Sequence, residues 1–574
     1  MANLVHASGR PISSVEVARA KAQANAGGGD PARSPYDSAS RMGPWMQGWA
    51  PVIGSADRDW LPGRNTAVAR IRDIGRNDPV GASVINRKKN AVVGKGWSLS
   101  SRPDARALGI SAQAAAELAA VIQSEWQAYA NSHDFQVDAE RRSSWAQLLR
   151  TATGHDTQDG EALGLVEYAA DEPTRYKTRL RLVDPDRLSN PNMRPDSATL
   201  AGGVERNAAG VPFKYWLRER HPNDLGFGVG SFVWNDFDRF TAHGRPQVLH
   251  VFELERAGQT RGVSRFVSAL KSFKALSSFT DATLQAATIN ALIVAFVKSS
   301  AGPEAVSEFF STEDLSKFEK DREDFYNSNP VNLGGGARAP VMPLGDEIQM
   351  QSQSKDVTSF DSFVRAILRL IAAALGVTYE EMTMDYSQTN YSSARAAMLH
   401  AWAEIQVQFS RLEDQLVRPF FAAWLEEAFD SGYIQVPAGA PDFYDAQAAY
   451  CRAFWRGPGR GYIDPTKEIL AAAARIEAGV STLQDECADQ GDDWEEIMEQ
   501  KVREIVKKRE LLAKYGLPLD TDLSAANAGA PVEPPSTGVP PEDVRPGDKS
   551  ALAAIARFAM SADHEAFLDA RSAA

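Results

Sequence analysis

Little in this sequence could cross-link it. Two cysteines, Cys451 and Cys487, stand among 574 residues. A lone pair cannot staple so long a chain and has no metal-ligand spacing, so two reduced thiols are expected. Long apolar runs are missing too. The strongest, Ile289 to Val297, falls far short of the ~20 residues a bilayer helix needs. The N-terminal stretch lacks the apolar core of a secretion leader. The expectation is no secretion, no membrane span and no membrane partner.

Enzyme signatures are equally scarce. Gly94-Lys95 has neither the upstream glycine nor the following Ser/Thr of a phosphate-binding loop. Neither H-E-x-x-H nor G-x-S-x-G occurs. Gly226-Phe-Gly-Val-Gly230 lacks the last glycine of a dinucleotide fingerprint. No cofactor is expected, and the chain reads as a non-enzyme. Positive charge is also short: 62 Lys and Arg face 75 Asp and Glu, a net charge of -13. Such a balance excludes a protein that grips nucleic acid over its whole surface. It suits ordinary solubility, and equally a wall past which DNA slides without sticking.

What is present is a folded chain, with 43% hydrophobic and 24% charged residues. The spacing predicts helix over most of 65–93, a short strand at 97–99, and helices from Ser111 to Tyr129 and from Ser143, as N-cap, to Thr153. Strands follow at 163–168, 179–183 and 248–252, with a hairpin of 203–206 and 211–220 around Asn207–Gly210. A long helix is expected from Ser264 to Ser299, an inserted segment over 301–356, and a helix from Ser362 to Leu375 capped by Asp361 and stopped by Gly376. In the insert, Ser311–Asp314 reads as a capping box, and 339–351 as a hairpin. Ser392 to Asp430 is the longest helix candidate, kinked one turn upstream of Pro419 because proline lacks the N–H and collides with the preceding turn. Beyond Pro441 only further helices are expected, starting at Asp464-Pro465 and at Trp494.

One polar cluster could hold a divalent ion: His155, Asp156, Asp159 and Glu161, with Asp184 and Asp186 further on. Its functional reading is a metal-dependent nuclease or phosphoesterase; its structural reading is a polar turn followed by an Asp-Pro-Asp turn.

Four blocks then lie in a telling order. Arg70–Asn77 (RIRDIGRN), with Pro79 and Val93-Gly-Lys-Gly96, is the first. The second combines Arg181–Arg187, the hairpin, Val248–Phe252 and Gly258-Gln-Thr-Arg-Gly262. Asn390-Tyr391-Ser392-Ser393-Ala394-Arg395 is the third, and Ile463–Glu468 the fourth. The set resembles the portal proteins of lambda-family phages over roughly 55–515. That resemblance implies an α+β, helix-rich, portal-type fold with wing, stem, clip and crown regions. In numbers it implies a flexible arm (1–54), wing (55–262), first stem helix (263–300), clip (301–356), second stem helix (357–380), tunnel loop (381–391), long wing helix (392–440), crown-side helices (441–517) and flexible tail (518–574). It also implies a dodecameric ring at one capsid vertex, in the virion and, during assembly, in the host cytoplasm. The implied partners are double-stranded DNA in the channel, the terminase large subunit, the major capsid or scaffold protein and a head–tail adaptor. DNA-facing residues would be Asp385, Tyr386, Ser387, Gln388, Thr389 and Asn390, a stretch without Lys or Arg. A non-portal oligomeric adaptor built on long helices is the remaining alternative.

Overall fold

A computed structural model describes Trp49 and residues 51–222, 232–293, 316, 317, 320, 324, 357–459, 461, 465–492 and 494–518. Most of the N-terminal arm, the insert apart from four helical residues, and the tail beyond 518 therefore lie outside the described residues. So do the 311–314 capping box, the 339–351 hairpin and the helix end at 294–299.

The chain falls into two units, Met1–Trp494 and Glu495–Ala574. In the first, α1 (Ala56–Asn77) and α2 (Pro79–Val92) replace the single expected helix. Asp78 separates them: it is extended, and its carboxylate accepts from the N–H groups of Val80 and Gly81, while Pro79 takes the first-turn site where an N–H is not needed. Next come β1 (Ser98–Ser101), α3 (Ala112–Ala130) and α4 (Trp145–Asp159). Ser111 caps α3 as expected. The cap of α4 is Ser144, not Ser143, in a reciprocal box with Gln147, and the helix runs on to Asp159.

Strands follow. β2 (Glu161–Tyr168) lies between β3 (Thr178–Val183) and β8 (Val248–Phe252), antiparallel to both. A second sheet has the order β4 (Leu200–Ala201), β5 (Val204–Arg206), β6 (Pro212–Arg218), β7 (Trp234–Asp238). Both faces of β2 are buried, which is why it reads as a nearly unbroken apolar run. Ala162 and Val166 join one core, Leu163 and Leu165 another.

Helix α5 (Phe266–Ile293) packs on α6 (Val357–Leu375). The latter starts before Asp361, so that residue does not cap it; it pairs with Arg365 one turn on. Gly376, at φ +66°, ends the helix. The buried face is Leu368, Ile371, Ala372 and Leu375, packed with Phe266, Phe273 and Leu276 of α5 and Ile71, Val84 and Ile85 of α1 and α2. Phe363 and Leu370 of α6 are exposed, with the ring of Phe363 centred 4.5 Å from that of Phe279. A short α7 (Tyr379–Thr383) precedes α8 (Tyr391–Leu412).

The expected kink upstream of Pro419 is a turn of π-helix, Glu413–Val417, leading into α9 (Arg418–Asp430). A wider turn absorbs the missing N–H and the ring clash. It also turns Gln415 toward β8, where its side chain accepts from the N–H of Phe252 at 2.9 Å. α9 then inserts Phe420, Phe421 and Trp424 into the largest core, around Trp126. Six aromatic rings pack edge-on to Trp126 at 5.0–6.4 Å.

Past 441 the expectation of helices alone is corrected. β9 (Ala453–Arg456) pairs antiparallel with β1, more than 350 residues away. α10 (Pro465–Glu477) and α11 (Leu483–Asp489) follow. The second unit holds most of α12 (Trp494–Lys514), acidic in its first turn and basic in its last. No helix among the described residues is long and apolar enough to cross a membrane.

Candidate functional site

Two places matter: the expected channel segment, and the charged centre at the root of α5.

Only part of 381–391 is loop. Tyr379–Thr383 is helical, with Thr378 and Glu381 forming a capping box. Met384, at φ +60°, turns the chain out of it. Asp385 folds the next turn, accepting from the N–H and hydroxyl of Ser387 at 3.1 and 2.6 Å. These bonds hold its carboxyl below the usual range. Thr389 donates to Glu380 at 3.3 Å. Asn390 caps α8, its side-chain oxygen accepting from the Ser393 N–H at 2.9 Å. Tyr386, Ser387, Gln388 and Asn390 are exposed, and Asp385 and Thr389 partly so. Of the 390–395 motif, Tyr391 opens the helix and Arg395 is exposed.

The stretch carries no cation, but its surroundings do. The Arg87 guanidinium of α2 lies against the Met384 sulfur, and that of Arg369 on α6 lies 5.6 Å from the Tyr379 ring. Ser83 of α2 donates to the Met382 carbonyl at 3.0 Å. The segment is thus stapled to α2, a contact that its own residues did not reveal.

The acidic cluster does not form one site. Asp156 faces α8, accepting from Gln408 and Arg411 at 2.7 Å each. Arg72 of α1 takes the remaining aspartates, Asp159 at 2.8, Asp186 at 2.8 and Asp184 at 2.9 Å. His155 Nδ1 lies 2.7 Å from Asp159. Asp184, Asp186 and His221 do bring ligand atoms within 4.8 Å of one another, but both carboxylates already bind Arg72. A guanidinium therefore stands among these carboxylates, an arrangement that fits the structural reading of the cluster.

Beside it Glu161 is fully buried. It accepts from Arg64 Nη2 at 2.8 Å, Arg261 Nε at 2.8 Å, His250 Nε2 at 2.9 Å and the Gly262 N–H at 3.0 Å. Burial alone would raise this carboxyl; Arg261 and Arg64 outweigh it and hold it well below the usual range. Arg261 spends its other N–H groups on the carbonyls of Pro185, Leu188 and Gly202, each at 2.8 Å. Gly160 and Gly262 pass so closely that a Cβ on Gly262 would sit 2.0 Å from the Gly160 carbonyl oxygen. Helix α5 starts four residues later.

Arg64, Arg72, His250 and Arg261 were missed as partners. A signal existed: Arg72, Asp184, Asp186, His250 and Arg261 all lie in the ordered blocks quoted above, which converge here in space.

Comparison with known proteins bears on the same blocks. A family model described as "Phage portal protein, lambda family" matches residues 42–408, which includes three of the four blocks. The portal protein of Escherichia phage N15 is 32% identical over 477 residues, 82% of this chain and 89% of that protein. Portal protein B of Escherichia phage lambda is 31% identical over 482 residues, 83% and 90% of the two chains. A chain from the neck of an empty GTA particle, computed with C6 symmetry, superposes with a TM-score of 0.40 at 17% identity, covering 77% of this chain and 96% of that one. By the family match and by both relatives, the chain belongs to the lambda family of phage portal proteins.

Proposed function

We propose that copies of this chain form a dodecameric ring at one vertex of a phage head, the channel through which double-stranded DNA is packaged and ejected. Family membership over most of the chain is the observation that carries this reading. Residues 55–262 serve as wing, α5 and α6 as the paired stem, and 301–356 as a clip. Residues 381–391 are the tunnel segment, 392–440 the long wing helix, and the helices after 441 the crown side. The ring docks the terminase large subunit during packaging and a head–tail adaptor afterwards, and sits among major capsid or scaffold subunits. It assembles in the host cytoplasm and remains in the virion. Its role is mechanical: ATP is hydrolysed by the motor.

Support for the tunnel assignment comes from exposure and chemistry. Tyr386, Ser387, Gln388 and Asn390 offer hydroxyl and amide groups, which touch phosphates weakly and reversibly. The test is deletion of 384–389. Purified protein should still form rings with an axial hole in negative stain, while packaging or DNA retention drops at least tenfold. Normal packaging by the deletion would remove the tunnel assignment; a chain that stays monomeric in assembling heads would remove the ring.

A further inference from the structure

Helix α10 is amphipathic in the opposite sense to a helix that completes its own core. Its polar side faces protein. Glu468 is only 8% exposed, and Arg475 holds the Glu486 carboxylate of α11 through two N–H groups at 2.8 and 2.5 Å. Its apolar side faces solvent. Ile469, Ala473 and Ile476 recur at helical spacing, and Val480 follows just past the helix end. All four are exposed, Ile469 at 57% and Val480 at 74%. Helices normally turn such a stripe to a core, and one left outward marks a surface for another protein.

The second unit carries a stripe of its own. Met498, Val502, Ile505 and Val506 recur at helical spacing on α12 and are exposed, Val502 at 57%. The two surfaces are opposite in charge. Residues 465–492 hold six acidic and two basic side chains, whereas 501–514 hold six basic and two acidic. Glu477 at the end of α10, and Asp485 and Asp489 of α11, are exposed. Lys501, Lys508 and Arg509 stand one turn from Ile505, so they border the α12 stripe.

We propose that the outward stripe of α10, bordered by the acids of α10 and α11, receives the basic-edged stripe of α12 from a second copy of this chain. The inference rests on the ring reading above. A ring closes through heterologous contacts, in which one patch meets a different patch on the next copy. This pair of surfaces is complementary in both respects, apolar along the middle and opposite in charge along the borders. Self-pairing fits less well: two α10 surfaces would set acid against acid, and two α12 surfaces base against base.

Two variants of the full chain test this, each placing a charge on one exposed stripe: Ile476→Asp and Val506→Asp. Ring and monomer are quantified by native mass measurement across a concentration series, with circular dichroism on the monomer. Each variant should raise the concentration needed for half-assembly at least tenfold with the monomer spectrum unchanged. If one of them does not fold, the other decides. Independently, carbodiimide, which joins an amine to a carboxylate in contact with it, is applied to wild-type rings assembled from mixed light and heavy-isotope chains. Links should run from Lys501 or Lys508 of one isotope to Glu477, Asp485 or Asp489 of the other. Wild-type assembly by either folded variant overturns the pairing and leaves the ring standing. So does a map in which these lysines link only within one isotope, or only to other carboxylates such as those of the 519–574 tail. A wild type that forms no ring overturns both readings.

Discussion

Glu161 shows how much one carboxylate holds. Around it stand two guanidinium groups, an imidazole and a backbone N–H, all removed from solvent. Removing one side of such a pairing strands the other charges in a low dielectric, which typically costs about 3–5 kcal/mol. Glu161→Gln keeps the shape and loses the charge, and is expected to lower unfolding stability by about that amount in urea titrations. A loss under about 1 kcal/mol would mean that the arginines find other partners. The pH dependence follows from the same geometry. The native carboxyl lies well below its ordinary 4.5, so the native state binds fewer protons than the unfolded one between the two values. Its stabilisation is therefore complete above about 4.5 and is lost as pH falls through the native value. The gap between wild type and Glu161→Gln should be constant from pH 7 to about 5 and should close under stronger acid.

Element boundaries divide into those written locally and those written elsewhere in the chain. Asn390 belongs to the first kind: it accepts from the Ser393 N–H at the start of α8. Asn390→Ala should cost about 1 kcal/mol, Asn390→Asp almost nothing, in paired thermal melts. Ser111, the 248–252 strand and the distortion before Pro419 were legible for the same reason, since cap chemistry, alternation and a missing N–H act within a few residues. β9 was not legible. Ala453–Arg456 becomes a strand by pairing with Ser98–Ser101, and no local signal marks a partner so distant. Asp361 misled because a good capping residue can sit inside a helix when an arginine four residues on engages it. At the candidate site, the ordered blocks pointed to Arg72, His250 and Arg261 without saying what they bind. The 384–390 stretch reads as free of cations, yet Arg87 and Arg369 stand beside its base, brought there by packing on α2 and α6. Breaking that staple with Ser83→Ala should leave the melting temperature within about 2 °C and raise amide exchange at 382–388 several-fold; unchanged exchange would mean that Ser83 holds nothing.

For the whole molecule, charge is the dominant quantity. Each copy carries -13, so a ring gathers like charge around one axis. Repulsion between exposed groups is screened over ~8 Å at about 0.15 M salt and over ~30 Å at about 0.01 M. Rings should therefore release monomers on dilution into low salt and reform when salt is restored, as read by sedimentation. Rings equally stable at both would show that the charge is neutralised locally. The crossing of Gly160 and Gly262 bears on how such a ring could move. Neither backbone segment of that crossing has room to shift toward the other, so the chain four residues before α5 is held against the start of β2. If α5 serves as the proposed stem, its tilt would carry β2 with it, and a ring would widen by whole subunits rolling against each other, as staves do in a barrel.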